Sequence, residues 1–402
     1  MSFFHNPHDL LLLALNRTKE QQGSPHAVKF HTERDGLLDA LSTASRAASA
    51  RSSGVAANAG IQLALRGDRL EVTGSDPDLV IEVKAVVAGE SDGTTLLPSR
   101  LTVDIIRAFD AGTVSVVSSE DEVRLSSGRA EFVIRVPLGA EITRLSPLDG
   151  EGISLPASRF GEGLRQVVRA ALADDTRAPQ LTGVLMVATD TGLRLVATDS
   201  YRLAFADLKG ITVLEPGSEV LVPARALAEI QRLIGSSEQS EDGKTLIFRH
   251  SDLDAVFEVG DVRLTTRLLK GPFPDYERLL PPAYSNTLRL AREEFAAALR
   301  RVRLIVRDAK DSTTPVRIAF STNGAELTVV TVESGRAIEQ VDGQFTGEDL
   351  TVAFNPNYLL DGVEAVSPDT LVLEVIDSAK PATIRGEGDD NYRYLLMPVR
   401  VS

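Results

Sequence analysis

The 402-residue sequence has no cysteine, no tryptophan and only five histidines. Without thiols there is no disulfide framework, no thiolate zinc or iron–sulfur site and no cysteine nucleophile. His5, His8, His26 and His31 crowd the N-terminus, which leaves His250 alone in the rest of the chain. An imidazole triad or a multi-histidine metal site has too few members to assemble. Long apolar runs are missing as well. The longest, Leu10 to Leu15, is far shorter than the roughly 20 residues of a membrane helix, and no Lys or Arg precedes it as in a secretory signal. The expectation is a cytoplasmic protein without a membrane partner. Positive charge is scarce overall, with 43 Lys and Arg against 57 Asp and Glu, a formal net charge of −14. Taken alone, that balance argues against nucleic acid, because phosphates are neutralised by clustered basic side chains.

What is present is ordinary globular material, 43% apolar and 25% charged, long enough for two to four domains. Residues 1–27 read as a flexible extension, with a docking peptide as the alternative. The remainder repeats. A Pro-led amphipathic segment occurs as Leu97-Pro-Ser-Arg-Leu-Thr-Val-Asp-Ile-Ile-Arg107, as Val222-Pro-Ala-Arg-Ala-Leu-Ala-Glu-Ile-Gln-Arg232 and, more loosely, as Asn355-Pro-Asn-Tyr-Leu-Leu-Asp-Gly-Val363, with the prolines 125 and 133 residues apart. Strand-like stretches at Arg69, Arg194 and Glu326 precede them at nearly the same spacing. A second helical signal opens each unit, over 33–49, 157–172 and 292–306. In the middle copy Phe160, Leu164, Val167, Val168 and Ala171 recur every three or four residues, with Arg165 and Arg169 on another face. Pro98, Pro223 and Pro356 suit a first helical turn, where a missing N–H costs nothing. Between helices the period changes to two, as in Leu371, Leu373 and Val375. The predicted fold class is α+β, repeated three times, each unit with two helices on antiparallel strands.

Catalytic motifs do not emerge. Gly243-Lys244-Thr245 resembles the end of a phosphate-binding loop, but Glu238 stands where that loop requires glycine, and a hairpin turn is the better reading. Asp389 and Asp390 lack the companions of a magnesium site and read as a solvated loop. No metal or other cofactor is implied, and a binding or scaffolding protein is favoured over an enzyme. The six helical segments together carry 16 basic and 11 acidic residues, so a helical layer of +5 sits within a remainder of −19. Solvated helix faces alone can account for that difference, and a nucleic-acid surface is the sharper alternative.

Several stretches resemble the bacterial DNA polymerase III beta subunit family, the sliding clamps. They are Ala197-Thr-Asp-Ser-Tyr-Arg-Leu-Ala204, Thr266-Arg-Leu-Leu-Lys-Gly-Pro-Phe-Pro-Asp-Tyr-Glu-Arg-Leu-Leu-Pro281 and Tyr394-Leu-Leu-Met-Pro-Val-Arg400, with Ser127-Gly-Arg-Ala-Glu-Phe132 and Phe354-Asn-Pro-Asn-Tyr-Leu-Leu360 in support. The resemblance spans residues 28–402. It implies a DNA clamp fold with domains over 28–147, 148–283 and 284–402 behind an extension over 1–27. It also implies a ring-forming homodimer around double-stranded DNA, held without regard to base sequence. The implied partners are the DNA polymerase III alpha subunit, the clamp loader, and other polymerases and repair proteins carrying a short peptide. The peptide groove carried over from the family comprises Leu181, Thr198, Tyr201, Arg202, Leu203, Pro274, Arg278, Leu279, Asn355, Tyr358, Pro381, Leu396, Met397, Pro398, Val399 and Arg400, with Arg202 and Asn355 orienting the peptide. DNA contacts carried over in the same way are Arg51, Arg100, Arg107, Arg177, Tyr201 and Arg225. Two stretches depart from the family pattern: Ser52-Ser-Gly-Val-Ala-Ala-Asn-Ala-Gly60 and Val136-Pro-Leu-Gly-Ala-Glu-Ile142. Both fall in the first domain, which leaves room for a specialised second clamp with altered partners or inhibitor sensitivity. A hydrolase or nuclease on repeated α+β units is the remote alternative, and it needs a carboxylate cluster the sequence does not supply.

Overall fold

The computed structural model describes residues 27–48, 60–119, 121–136, 142, 144–145, 148, 150–173, 177–236, 245–307, 314–332 and 334–400. Most of the N-terminal extension, Arg51, the 52–59 departure and the turn at Gly243 and Lys244 lie outside them. The chain forms two compact units, residues 1–151 with 249–267, and residues 152–248 with 268–402.

In the first unit, helices α1 (Arg34–Ala44) and α2 (Ser99–Ala108) pack against each other. One antiparallel sheet runs in the order Ala88–Ser91, Lys29–Glu33, Thr113–Ser118, Glu122–Ser127, Ala130–Arg135. Another contains Leu79–Val86 paired on one side with Arg69–Ser75 and on the other with Val262–Arg267. That last strand comes from the middle of the chain, so the hairpin Asp254–Arg267 belongs to the first unit although the middle repeat of the sequence contains it.

The second unit holds α3 (Ala157–Val167), α4 (Ala224–Ser236), α5 (Arg292–Val302), the short α6 (Leu304–Arg307) and α7 (Pro356–Ala365). Helix α3 packs on α4, and α5 on α7, so the paired arrangement of α1 and α2 recurs. The helical periodicity is explained by burial. Phe160, Leu164 and Val167 on α3, and Phe295, Leu299 and Val302 on α5, are all fully buried, and such side chains contribute about 1.5–3 kcal/mol each. Strand alternation has the same cause: Leu371, Leu373 and Val375 are buried together. Twelve strands form one antiparallel sheet, and its middle is closed by Arg202–Lys209 against Tyr392–Leu396, with Arg202 opposite Leu396 and Ala206 opposite Tyr392.

The helices are shorter than the sequence periodicity predicts. The first ends at Ala44 rather than Ser49, the second continues only as a 3₁₀ turn over Val168–Ala170, and the third is interrupted after Val302. Of the three helix-leading prolines, only Pro356 occupies a first helical turn. Pro98 and Pro223 are the last residues of the preceding strands, and Pro98 keeps a φ of −59° and ψ of 118° at the strand-to-helix junction. The extended backbone there uses proline's fixed φ without yet being helical.

Candidate peptide groove and arginine-bearing helices

The groove candidates lie in the second unit, around the join between Arg202–Lys209 and Tyr392–Leu396. The Met397 N–H donates to the Tyr201 carbonyl at 2.9 Å, and the Val399 N–H donates to the Ala353 carbonyl at 2.7 Å. These two bonds stitch the C-terminal segment between the Thr198–Leu203 turn and the start of α7. Pro381 precedes Ala382, which pairs with Leu396, so it too falls beside Met397. Leu203 and Leu396 are buried, while Tyr201 and Met397 are 64% and 43% exposed. Pro398 and Val399 are half-buried and Arg400 is exposed.

The floor on the other side is a cluster of Leu185, Val196, Leu203, Phe205, Leu221 and Leu395. The segment 268–280 packs across it through Leu269, Phe273, Tyr276 and Leu280. Its backbone is tied down by the Leu269 N–H, which donates to the Leu221 carbonyl at 2.9 Å, and Gly271 lies against Gln180, next to buried Leu181. Inward-facing Phe273 and Tyr276 leave Pro274, Arg278 and Leu279 outward; Leu279 is 51% exposed and Arg278 pairs with Asp275 at 2.7 Å. Large apolar side chains exposed together beside a buried apolar floor are the signature of a surface that receives another chain.

Arg202 is the electrostatic centre of this region. Its side chain is only 9% exposed, and it donates from Nε to Asp199 at 3.0 Å and from Nη1 to Asp361 at 2.5 Å. The guanidinium lies 4.2 Å from the centroid of the Tyr358 ring. Burial alone would lower its pKa; Tyr394, Asp361 and Asp199 outweigh that and hold it above the ordinary arginine value. A buried cation survives because two of its edges meet carboxylates and one face meets a ring. Two of its five N–H donors serve Asp199 and Asp361, which fixes the plane in which the others could meet a peptide.

Thr198 and Asp199 shape the turn. The Asp199 carboxylate accepts the backbone N–H of Tyr201 at 2.9 Å and of Arg202 at 3.0 Å, and the Thr198 hydroxyl donates to the Arg202 carbonyl at 2.7 Å. Ser200 follows at φ 75°, a left-handed conformation that glycine adopts more easily. Asn355 caps α7, its side-chain oxygen accepting from the N–H groups of Asn357 and Tyr358. Its carbonyl is used by the helix, which leaves the amide NH₂ as the group that can face a ligand. Tyr394 reaches through the helix to donate its hydroxyl to the Tyr358 carbonyl at 2.7 Å, and Gly362 makes room, since a Cβ there would lie 2.5 Å from the ring. Burial pushes the Tyr394 hydroxyl well above its usual range, so it remains a donor. Sequence reasoning passed over Asp361. The one available signal was its position three residues after Tyr358, on the same face of α7.

The DNA candidates are dispersed. Arg100 is exposed at the start of α2, and Arg107 on the same helix pairs with Asp104 at 2.8 Å. Arg225 is exposed on the first turn of α4, Arg177 is exposed ahead of the 3₁₀ turn Pro179–Thr182, and Tyr201 borders the groove. Arg51 lies outside the described residues. The simple count of a basic helical layer needs correction. Arg165 is held by Glu162 and by the Glu364 and Ala365 carbonyls, Arg169 by Asp361 and Glu364, Arg300 by Glu293 and Glu364, and Arg301 by Glu339. Arg165, Arg169, Arg300, Asp361 and Glu364 line a cavity of about 290 Å³, and the pairing neutralises much of the excess positive charge because the acidic residues of α7 face these arginines.

Three pairs of helices, each packed on antiparallel sheet, are the architecture of a clamp fold. The comparisons agree. Residues 28–145, 154–275 and 277–400 match the N-terminal, central and C-terminal domains of the DNA polymerase III beta subunit. The chain is 31% identical to the beta sliding clamp of Streptomyces coelicolor, across 93% of its own length and 100% of that protein, and 29% identical to that of Staphylococcus aureus. Among solved structures, the griselimycin-bound sliding clamp of Bartonella birtlesii superposes with a TM-score of 0.83 at 26% identity, and the C. crescentus beta sliding clamp with 0.82 at 28% identity. They cover 93% and 94% of this chain, and in both cases all of the other. The chain belongs to the bacterial DNA polymerase III beta subunit family, the beta sliding clamps.

Proposed function

We propose that this chain is a processivity factor, a non-enzymatic clamp. Two copies close head to tail around duplex DNA, with three repeats per chain bounded near residues 28–147, 148–283 and 284–402, and tether polymerases through a shared peptide groove. The observation that carries the reading is the three-domain family match from residue 28 to residue 400, supported by the repeated helix pairs. Retention then comes from topology rather than tight contact, so exposed arginines such as Arg100, Arg107 and Arg225 need only touch phosphates loosely. Partner peptides with Gln and Leu/Phe anchors, from the polymerase alpha subunit, the clamp loader or repair proteins, seat their apolar side chains between Leu279 and Met397. No helix among the described residues is long and apolar enough to cross a membrane.

The test is retention on nicked circular DNA after loading. Protein held by topology dissociates when the circle is linearised; equal retention on both forms refutes the reading. Equilibrium sedimentation at micromolar concentration is expected to give twice the chain mass.

A further inference from the structure

The acidic residues of α7 divide their work in a way the groove assignment does not include. Glu364 faces only the helix arginines, accepting from Arg169 at 3.0 Å and from Arg300 at 3.0 and 3.1 Å. Asp361, one turn earlier, faces both ways. One carboxylate oxygen meets Arg169 at 3.4 Å, and the other accepts from Arg202 Nη1 at 2.5 Å.

Arg202 has two carboxylate partners, and they are not equivalent. Asp199 belongs to the same turn, three residues away, and moves with it. Asp361 is 159 residues away, on the helix that carries Tyr358, whose ring lies under the guanidinium. The Asp361 contact therefore ties the Thr198–Leu203 turn to α7, the two walls between which Met397 is exposed, alongside the hydrogen bond that Asp199 accepts from the Tyr358 side chain. A planar guanidinium held at one edge by Asp199 and at another by Asp361 has one orientation over the ring.

We propose that Asp361 is a positioning residue of the peptide groove. It sets the distance between the turn bearing Tyr201 and the helix bearing Tyr358 by clamping Arg202 from the α7 side. This rests on the groove reading above. Glu364 is the internal comparison: it has the same charge, lies on the same helix and joins α7 to α3 and α5, but it does not touch Arg202.

The experiment measures binding of a fluorescein-labelled Gln-x-x-Leu-Phe-type peptide to the full-length chain by anisotropy, alongside melting temperature. Asp361→Asn is expected to weaken the peptide by about tenfold or more, on the scale of losing one partner of a buried charge pair, with Asp361→Glu between it and the original chain. Glu364→Gln is expected to stay within about twofold, as for other partly exposed ion pairs. Peptide affinity in Asp361→Asn within twofold of the original, or a Glu364→Gln loss equal to that of Asp361→Asn, overturns the proposal, because α7 then merely staples the unit. Should Asp361→Asn fail to fold, the charge-retaining Asp361→Glu still decides the matter. In protein labelled with ¹⁵N-arginine its Arg202 Nε–H resonance is expected to move while that of Glu364→Gln does not, and an unmoved resonance in Asp361→Glu overturns the proposal. Failure of the groove reading itself is distinguishable, since Met397→Asp and Leu279→Asp would then leave the peptide bound.

Discussion

The groove and the arginine-bearing helices use the same side chain in opposite ways. Arg202 is buried, held by Asp199 and Asp361 and laid on Tyr358, so its charge organises the protein and its geometry is defined. Arg100 and Arg225 are exposed at helix starts, on the surface rather than in the core. A site that must recognise one peptide shape needs rigid walls; a surface that must let DNA slide needs charge without fixed geometry. Between these extremes stand Arg165, Arg169 and Arg300, which join helices through α7 and whose charge is balanced by its carbonyls and carboxylates.

That contrast can be broken first at Arg202. Arg202→Ala strands Asp199 without its counter-charge and leaves Asp361 only the longer contact to Arg169. The unfolding free energy from urea titration is expected to fall by about 3–5 kcal/mol, with loss of peptide binding. Met397→Asp acts on the groove without touching stability, because the side chain it replaces is exposed. Peptide affinity by anisotropy is expected to fall about a hundredfold, the loss of a central apolar anchor, while the urea midpoint holds.

On the helices the expected effect is smaller and of another kind. Replacing Arg100 and Arg225 by Ala is expected to leave stability within about 0.5 kcal/mol and to reduce the slope of log affinity against log salt for duplex DNA by about 1 for each phosphate no longer neutralised. An unchanged slope removes them from the DNA surface. Ser200→Gly relieves the left-handed backbone and is expected to raise the urea-derived stability by about 1 kcal/mol with peptide affinity unchanged.

The smallest effect belongs to the helix pairs. Hydrogen bonding to Arg165 and Ser367 holds the Glu162 carboxyl below its ordinary value, against the opposing pull of partial burial. A depressed folded-state pKa contributes stability that is present above the unfolded value, about 4.3, and is lost as pH falls through the folded value. The difference in urea midpoint between the original chain and Glu162→Gln is therefore expected to be constant near neutrality and to shrink below about pH 4.

Much of the fold was legible because periodicity reports burial. Phe160, Leu164 and Val167, echoed by Phe295, Leu299 and Val302, mark the helix faces that the core covers. The proposed groove residues came only from motif resemblance, since Thr198, Asn355 and Met397 are scattered along the chain and carry no local pattern. Asp361 was illegible for the same reason: its role depends on an arginine 159 residues away. The net charge of −14 misled in one direction and the +5 of the helices in the other, because a count of charges does not say which of them pair.

By itself, then, the sequence determined the absence of thiol chemistry, the three-fold α+β repeat and the family. These follow from composition, local period and motif, all of which are properties of neighbours along the chain. Only the tertiary structure decided that the hairpin Asp254–Arg267 joins the first compact unit, that the helix arginines face the acids of α7, and that Arg202 is clamped from two sides. Strand pairing and buried ion pairs join residues far apart in sequence, and their energies depend on distance and desolvation, which exist only once the chain has folded.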